Sequence, residues 1–233
     1  MISEKAFMRR NLLTDKWVIY APGRAHRPDQ NEAHEPPTDR TIKIPEKDPL
    51  CPFCPGSEKK LTEITWELKS GDDRLWKCRS VLNKYPAVVS RGALDIRDDG
   101  IYETASSYGR QEIIIESPFH NHDIPIMNTE QIHNIIRAYQ HRFRYLFIKY
   151  NQIQNVMLFR NHGPSSGTSL VHPHSQIIGT AVVPQYIQQN EQTAEEYYHR
   201  NRRCLICSLR ERELDDRSRC LFTNRSFTAF VPY

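Results

Sequence analysis

The sequence predicts an α+β fold, and three observations carry that expectation. Short apolar runs of strand length recur along the chain. One long stretch, residues 128–150, spaces its apolar residues by threes and fours. That helix lies between two strands. At 233 residues the chain has room for one large or two small domains with a real core.

Taken in order, Trp17-Val18-Ile19-Tyr20 reads as a short strand. Residues 21–49 turn polar and proline-rich and read as a long surface loop. Residues 61–68 read as a strand, and 79–90 as strand-turn-strand around Asn83-Lys84-Tyr85-Pro86. Gln111 to Glu116 holds Ile113-Ile114-Ile115, a compact buried strand. The helix over 128–150 aligns Ile132, Ile135, Ile136, Tyr139, Phe143, Leu146, Phe147 and Tyr150 in one stripe. Asn128 with Gln131 three residues on reads as a capping pair. Val156 to Arg160 reads as a strand and Asn161 to Ser169 as a glycine- and serine-rich loop. Residues 170–178 return to strand, and a polar helix follows over 185–203. Spacing leaves open whether the strands flanking the long helix are parallel or antiparallel.

Composition narrows the function classes. Hydrophobic residues make up 38%, no run approaches the ~18 apolar residues of a membrane span, and the first residues lack a signal-peptide stretch. The net charge of +4 is spread along the chain, which suits anionic small substrates better than duplex DNA. Of six cysteines, four form two Cys-x-x-Cys pairs, Cys51/Cys54 and Cys204/Cys207. Without a secretory signal, that pattern reads as metal binding in a reducing, cytoplasmic compartment. Cys78 and Cys220 stand alone and read as ordinary small buried residues or surface thiols.

The chemistry concentrates in Asn161 to Gln176. On a strand, His172, His174 and Gln176 share one face, beside a Gly/Ser loop whose N–H and hydroxyl groups suit phosphate oxygens. The bland alternative is a half-exposed strand with its polar face in water. A zinc site needs four ligands: Cys51 and Cys54 form one corner, and His120 and His172 are the candidates for the rest. A redox role for Cys51/Cys54 is disfavoured because the pair sits between proline-rich segments rather than opening a helix.

Together, Cys51-x-x-Cys54, Ser117-Pro118-x-His120 and His172-Pro173-His174-x-Gln176 resemble the galactose-1-phosphate uridylyltransferase family, the transferase branch of the histidine-triad superfamily. Residues 13–19 with Arg24 and Arg27, Asn83, and Asn161, Gly167 and Ser169 are similar to further family segments. The resemblance implies a histidine-triad-like, mainly antiparallel sheet with a long helix. It implies zinc held by Cys51, Cys54, His120 and His172, and His174 as the nucleophile in a ping-pong exchange through a nucleotidyl-histidine. It implies substrate contacts from Arg24, Arg27, Asn83, Asn161, Gly167, Ser169 and Gln176, with a nucleotide sugar and a sugar 1-phosphate as partners and a homodimer as the assembly. The structural alternatives are a solvated loop for the arginines, a turn role for Asn83 and a strand-start hydroxyl for Ser169. Gln176 stands where the superfamily's hydrolases carry a third histidine. Glutamine donates a hydrogen bond but moves no proton, which points to transfer rather than hydrolysis.

Two features depart from the family's pattern. Ser175 stands where well-known uridylyltransferases have glycine, and relatives use ADP-glucose, so the donor base is open between uracil and adenine. The family carries two histidine-triad repeats. The sequence therefore divides into a first domain over 1–185, a linker helix over 186–203 and the beginning of a second, incomplete repeat over 204–233. Cys204 and Cys207 read as half of a second metal site, with His199 as a weaker third candidate, and Asn224 to Val231 echoes Asn83 to Val89. The expectation is that this length suffices for zinc binding and nucleotidylation of His174, but not for efficient transfer to hexose phosphate. The competing class is a zinc-ribbon-like binding module built on both cysteine pairs, which would bind polynucleotide in a salt-sensitive way. The absence of a basic, aromatic stripe counts against it.

Overall fold

The structure, a computed structural model, describes residues 5–26, 44–69, 71, 75–163, 166, 168 and 170–233. The chain forms two compact units, residues 1–183 and 184–233.

In the first unit the described strands are β1 (Phe7–Asn11), β2 (Lys16–Tyr20), β3 (Ile64–Lys69), β4 (Trp76–Leu82), β5 (Ile96–Asp99), β6 (Tyr102–Ser106), β7 (Gly109–Ile115), β8 (Asn155–Phe159) and β9 (His174–Thr180). A single long helix, α1 (Thr129–Lys149), lies between β7 and β8. Five strands form one antiparallel sheet in the order β3-β4-β7-β9-β8. β7 and β8 both run antiparallel to β9, so they are parallel to each other with β9 inserted between them. That resolves the direction left open by spacing: the strands flanking the helix are parallel but not adjacent. β9 is paired on both edges and buried at every residue. Its far end requires glycine opposite it: a Cβ on Gly109 would lie 2.2 Å from the Gly179 carbonyl oxygen.

Alternation along β7 separates two cores. Ile114 joins Cys78, Ala138, Leu146 and Ile177 on the helix side, whereas Ile115 joins Cys51, Phe53, Cys54, Trp76 and Val81 on the other. Register then sorts β9. His174 lies opposite Ile115 and Gln176 opposite Ile113, while Ser175 lies opposite Ile114.

α1 covers the helix side with Ile135, Ala138, Arg142 and Leu146. This corrects the expected stripe, because Ile136, Phe143 and Phe147 are exposed. The stripe is rotated because a charged residue occupies the core. The Arg142 guanidinium reaches both Glu112 carboxylate oxygens at 2.8 Å, and Ser80 and Thr65 also donate to that carboxylate. Burial alone would raise the Glu112 pKa, but Arg142 outweighs it and holds the carboxyl below its usual range. At the helix start the Asn128 side-chain Oδ1 accepts the Gln131 N–H at 2.8 Å, as an N-cap requires. The Gln131 side chain does not turn back on Asn128; it donates to the carbonyls of Lys77 and Glu116 and so ties α1 to the sheet.

A second antiparallel sheet has the order β2-β1-β6-β5. β1, β5 and β6 were not expected. β5 is exposed at all four residues and β1 buries only Met8, so neither shows an alternating apolar face. The second strand expected within 79–90 is absent beyond a single bridge from Val89 to Tyr108, because β7 takes the place beside β4. The strand expected over 170–178 starts only at His174.

The second unit holds α2 (Gln185–Asn201), the unexpected α3 (Leu205–Asp216), and the hairpin β10 (Cys220–Thr223) with β11 (Thr228–Phe230). After β10, Asn224 Oδ1 accepts from Ser226 and Phe227 N–H; after β4, Asn83 Oδ1 accepts from Tyr85 N–H. Among the described residues, no helix is long and apolar enough to cross a membrane.

Candidate functional site

Cys51, Cys54, His120 and His172 converge. One ligand atom from each lies within 4.8 Å of the others, and all four residues are buried. The Cys51–Cys54 loop turns its sulfurs inward and holds them with backbone donors: Phe53 N–H reaches Cys51 Sγ and Asp48 N–H reaches Cys54 Sγ, each at 3.4 Å. His120, in the loop after β7, is anchored by its N–H on the Glu46 carbonyl at 2.8 Å.

Three sulfur–nitrogen separations match the spacing of ligands on one tetrahedral ion. His172 Nδ1 lies 3.7 Å from Cys51 Sγ and 3.6 Å from Cys54 Sγ, and His120 Nδ1 lies 3.5 Å from Cys54 Sγ. Bonds of roughly 2.3 Å to sulfur and 2.05 Å to nitrogen place tetrahedral S and N ligands about 3.6 Å apart. The tautomer also fits. His172 Nε2 sits 2.8 Å from the Ser117 carbonyl, an acceptor only, so Nε2 carries the proton and Nδ1 presents its lone pair. Burial pushes the Cys51 thiol up to about 12 and the His172 imidazole down to about 4. A neutral imidazole is ligating as it stands; a thiolate in this pocket needs a cation to offset its desolvation.

His174 and Gln176 face a cavity of 590 Å³, beside the cysteine loop. Phe53 of that loop packs edge-on against both His172 and His174, at ring separations of 5.9 and 5.4 Å. His174 Nδ1 donates to the His172 carbonyl at 2.8 Å, so in the neutral ring Nδ1 carries the proton and Nε2 does not. His172 does not share the cavity face with His174 and Gln176, contrary to the strand pattern. Pro173 lacks a donor, the strand begins after it, and the His172 ring turns to the sulfurs. The bland alternative of a water-facing strand is excluded by burial: His172, His174 and Gln176 are 0%, 7% and 8% exposed.

Other expected site residues divide. Asn83 lines the cavity, and its Oδ1 also holds the turn through Tyr85 N–H at 2.9 Å, so the turn role is real. Arg24 Nη1 donates to the Tyr85 carbonyl at 2.7 Å, which brings it to that same turn. Asn161 lies two residues past β8, half-buried, and is not among the cavity-lining residues. Arg27, Gly167 and Ser169 lie outside the described residues.

Several residues were not singled out from sequence. Lys59, Lys60 and Lys84 give the cavity three cationic side chains, and Gln111 donates to Gln176 at 3.1 Å. The only available signal was the Glu58-Lys59-Lys60 run shortly after the cysteine loop. On the opposite face of β9, Ser175 Oγ contacts Glu116 and Tyr139, and Arg160 clamps both Glu116 oxygens at 3.0 and 3.1 Å. The Ser175 hydroxyl therefore belongs to the sheet's anchoring to α1, not to the cavity.

Cys204 and Cys207 are exposed at the start of α3. Among the described residues, no third ligand joins them, and the His199 ring instead faces Glu195 at 3.6 Å.

Comparisons with known proteins place the chain in a family. A family model described as galactose-1-phosphate uridyl transferase, N-terminal domain, matches residues 2–184. The chain is 28% identical over 231 residues to an ADP-glucose phosphorylase of Arabidopsis thaliana, covering 97% of this chain and 63% of that protein. It is 27% identical over 232 residues to a galactose-1-phosphate uridylyltransferase of Haemophilus influenzae, covering 99% and 63%. A solved uridylyltransferase structure aligns with a TM-score of 0.71 at 28% identity, over 97% of this chain and 61% of the other. The chain thus spans less than two thirds of the length of these relatives. With the family model matched over residues 2–184 and the fold shared with a solved uridylyltransferase, the chain belongs to the galactose-1-phosphate uridyl transferase family and carries its N-terminal domain.

Proposed function

We propose that this chain transfers a nucleotidyl group through His174. The observation that carries the reading is the hydrogen bond from His174 Nδ1 to the His172 carbonyl at the wall of a cavity with three lysines. In its neutral form His174 attacks the α-phosphorus of a nucleotide sugar with Nε2. An N–P bond forms, the P–O bond to the sugar 1-phosphate breaks, and its electron pair leaves on the departing phosphate oxygen. The Nδ1 proton stays on the bond to His172, which stabilises the positive charge that builds on the ring. A sugar-phosphate leaving group needs no proton, so glutamine suffices at position 176. A second sugar 1-phosphate, or phosphate, then takes the nucleotidyl group by the reverse displacement.

Cys51, Cys54, His120 and His172 would hold zinc, which supplies a closed four-ligand anchor with no position left for water. That anchor fixes His172, and through its carbonyl the ring of His174. Asn83 and Arg24 would shape the donor end of the cavity, and Arg27, Asn161, Gly167 and Ser169 are proposed as phosphate contacts from their family positions.

The leading form of the reaction is UDP-glucose–hexose-1-phosphate uridylyl exchange. The 28% identity to a protein named ADP-glucose phosphorylase supports a second form with an adenylyl donor. Intact-mass measurement after incubation with UDP-glucose and, separately, ADP-glucose tests both, with His174→Ala as control. A uridylyl or adenylyl increment absent from the variant supports the nucleophile and names the donor. No increment from either, in folded zinc-loaded protein, overturns the reading.

A further inference from the structure

We infer that Gln111 is a positioning residue that sets the direction of the hydrogen bond Gln176 offers to substrate. The inference rests on the nucleotidyl-transfer reading above. Its basis is a chain of hydrogen bonds with a fixed polarity.

The chain starts at a backbone group whose role cannot reverse. Ala87 N–H donates to Gln111 Oε1 at 2.7 Å. An N–H has no acceptor capacity, so the atom facing it must be the amide oxygen. The other end of the Gln111 amide, Nε2, must then donate, and it reaches Gln176 Oε1 at 3.1 Å. That occupies the Gln176 oxygen. Its Nε2, which has no hydrogen bond to a described residue, is the end left for the cavity. Gln111 and Gln176 are 3% and 8% exposed, so water does not supply an alternative partner on the Gln111 side.

The direction matters because phosphoryl oxygens only accept. A Gln176 amide turned the other way would aim its carbonyl oxygen at them. Nothing in the Gln176 side chain itself prefers one orientation, since the two ends of a primary amide are nearly isosteric. The preference is imposed from Ala87 through Gln111. The sequence hides this relay: Gln111 and Gln176 lie on β7 and β9, 65 residues apart, and become neighbours only when β9 inserts beside β7.

Two variants separate this role from packing. In Gln111→Glu the shape and the acceptor for Ala87 N–H are kept. When the introduced carboxyl is protonated it still donates to Gln176; when ionised it only accepts, and Gln176 turns its Nε2 away from the cavity. Gln111→Met keeps volume and lacks both hydrogen bonds. The reading is the rate of nucleotidyl increment with UDP-glucose and with ADP-glucose, relative to wild type, across pH. The expected result is a near wild-type ratio for Gln111→Glu at low pH that falls about 10²-fold once the carboxyl ionises, the cost of one lost oxyanion donor. Gln111→Met loses rate without that pH dependence. A purely structural Gln111 leaves Gln111→Glu equal to wild type at every pH, and that result overturns the inference.

Side-chain amide hydrogen exchange in ¹⁵N-labelled protein decides the polarity without any activity. Gln176 Nε2 hydrogens are expected to exchange faster than those of Gln111 in wild type, and to become protected in ionised Gln111→Glu. Protected Gln176 hydrogens in wild type contradict the relay. If wild type forms no increment with either donor, the nucleotidyl-transfer reading fails, and the relay stands or falls on this exchange measurement.

Discussion

His172 contacts the cysteine cluster with one end and His174 with the other: its Nδ1 lies 3.6 Å from Cys54 Sγ, and its carbonyl oxygen accepts from His174 Nδ1 at 2.8 Å. A single residue therefore couples metal occupancy to the orientation of the proposed nucleophile. Phe53, flanked by the two cysteines, adds a packing contact to both rings.

Metal stoichiometry follows from the cluster. Wild type is expected to bind one zinc per chain through these four residues, and His120→Ala to lose it. Because His120 is not among the cavity-lining residues, the accompanying fall in nucleotidylation, about 10–100-fold, reports positioning. Cys204→Ala leaves the count unchanged. Elemental analysis beside adduct rates checks this.

The Arg142–Glu112 pair is fully enclosed, at 1% and 0% side-chain exposure. Arg142→Met leaves the buried carboxylate with only the more distant Arg110 guanidinium, 3.3 Å from Oε1, and is expected to cost about 3 kcal/mol in unfolding free energy. Adding Glu112→Gln removes that charge, so the double variant is expected to be more stable than Arg142→Met alone. Urea titration of the two variants measures the difference.

Acid acts through the same carboxylate. Glu112 sits below its ordinary value of 4.5 in the folded protein, so its contribution is complete above that pH and is lost as pH falls through the folded value. Melting temperature is expected to drop more steeply with acid below about pH 4.5 in wild type than in the Arg142→Met/Glu112→Gln variant. Parallel slopes would remove Glu112 from the account.

Thiol chemistry separates the cysteines. The Cys207 and Ile206 backbone N–H groups at the start of α3 lower the Cys204 thiol, whereas burial, then Glu116, pushes Cys78 up to about 12. Iodoacetamide followed by peptide mapping is expected to label Cys204 first, and Cys78 only after unfolding. Early labelling of Cys78 would contradict its enclosure.

Much of the site was legible because its parts are local in sequence. Cys51/Cys54 and His172/His174/Gln176 are short-range patterns whose chemistry survives any arrangement of the rest. The long helix was legible from its period, but its buried face was misplaced because Arg142, a charged residue, is a core residue once Glu112 meets it. β5 could not be read, since Ile96-Arg97-Asp98-Asp99 buries nothing and is held by backbone pairing to β6. Strand order was equally hidden: the insertion of β9 between β7 and β8 depends on contacts far apart in the chain, and with it the partnership of Gln111 and Gln176.

The most direct test of the central claim is to map the nucleotidyl group after incubation with UDP-glucose or ADP-glucose, using tandem mass spectrometry and acid–base stability. The account predicts an acid-labile, base-stable phosphoramidate on His174, absent from His174→Ala. A stable adduct on any other residue, such as a cavity lysine, would contradict it.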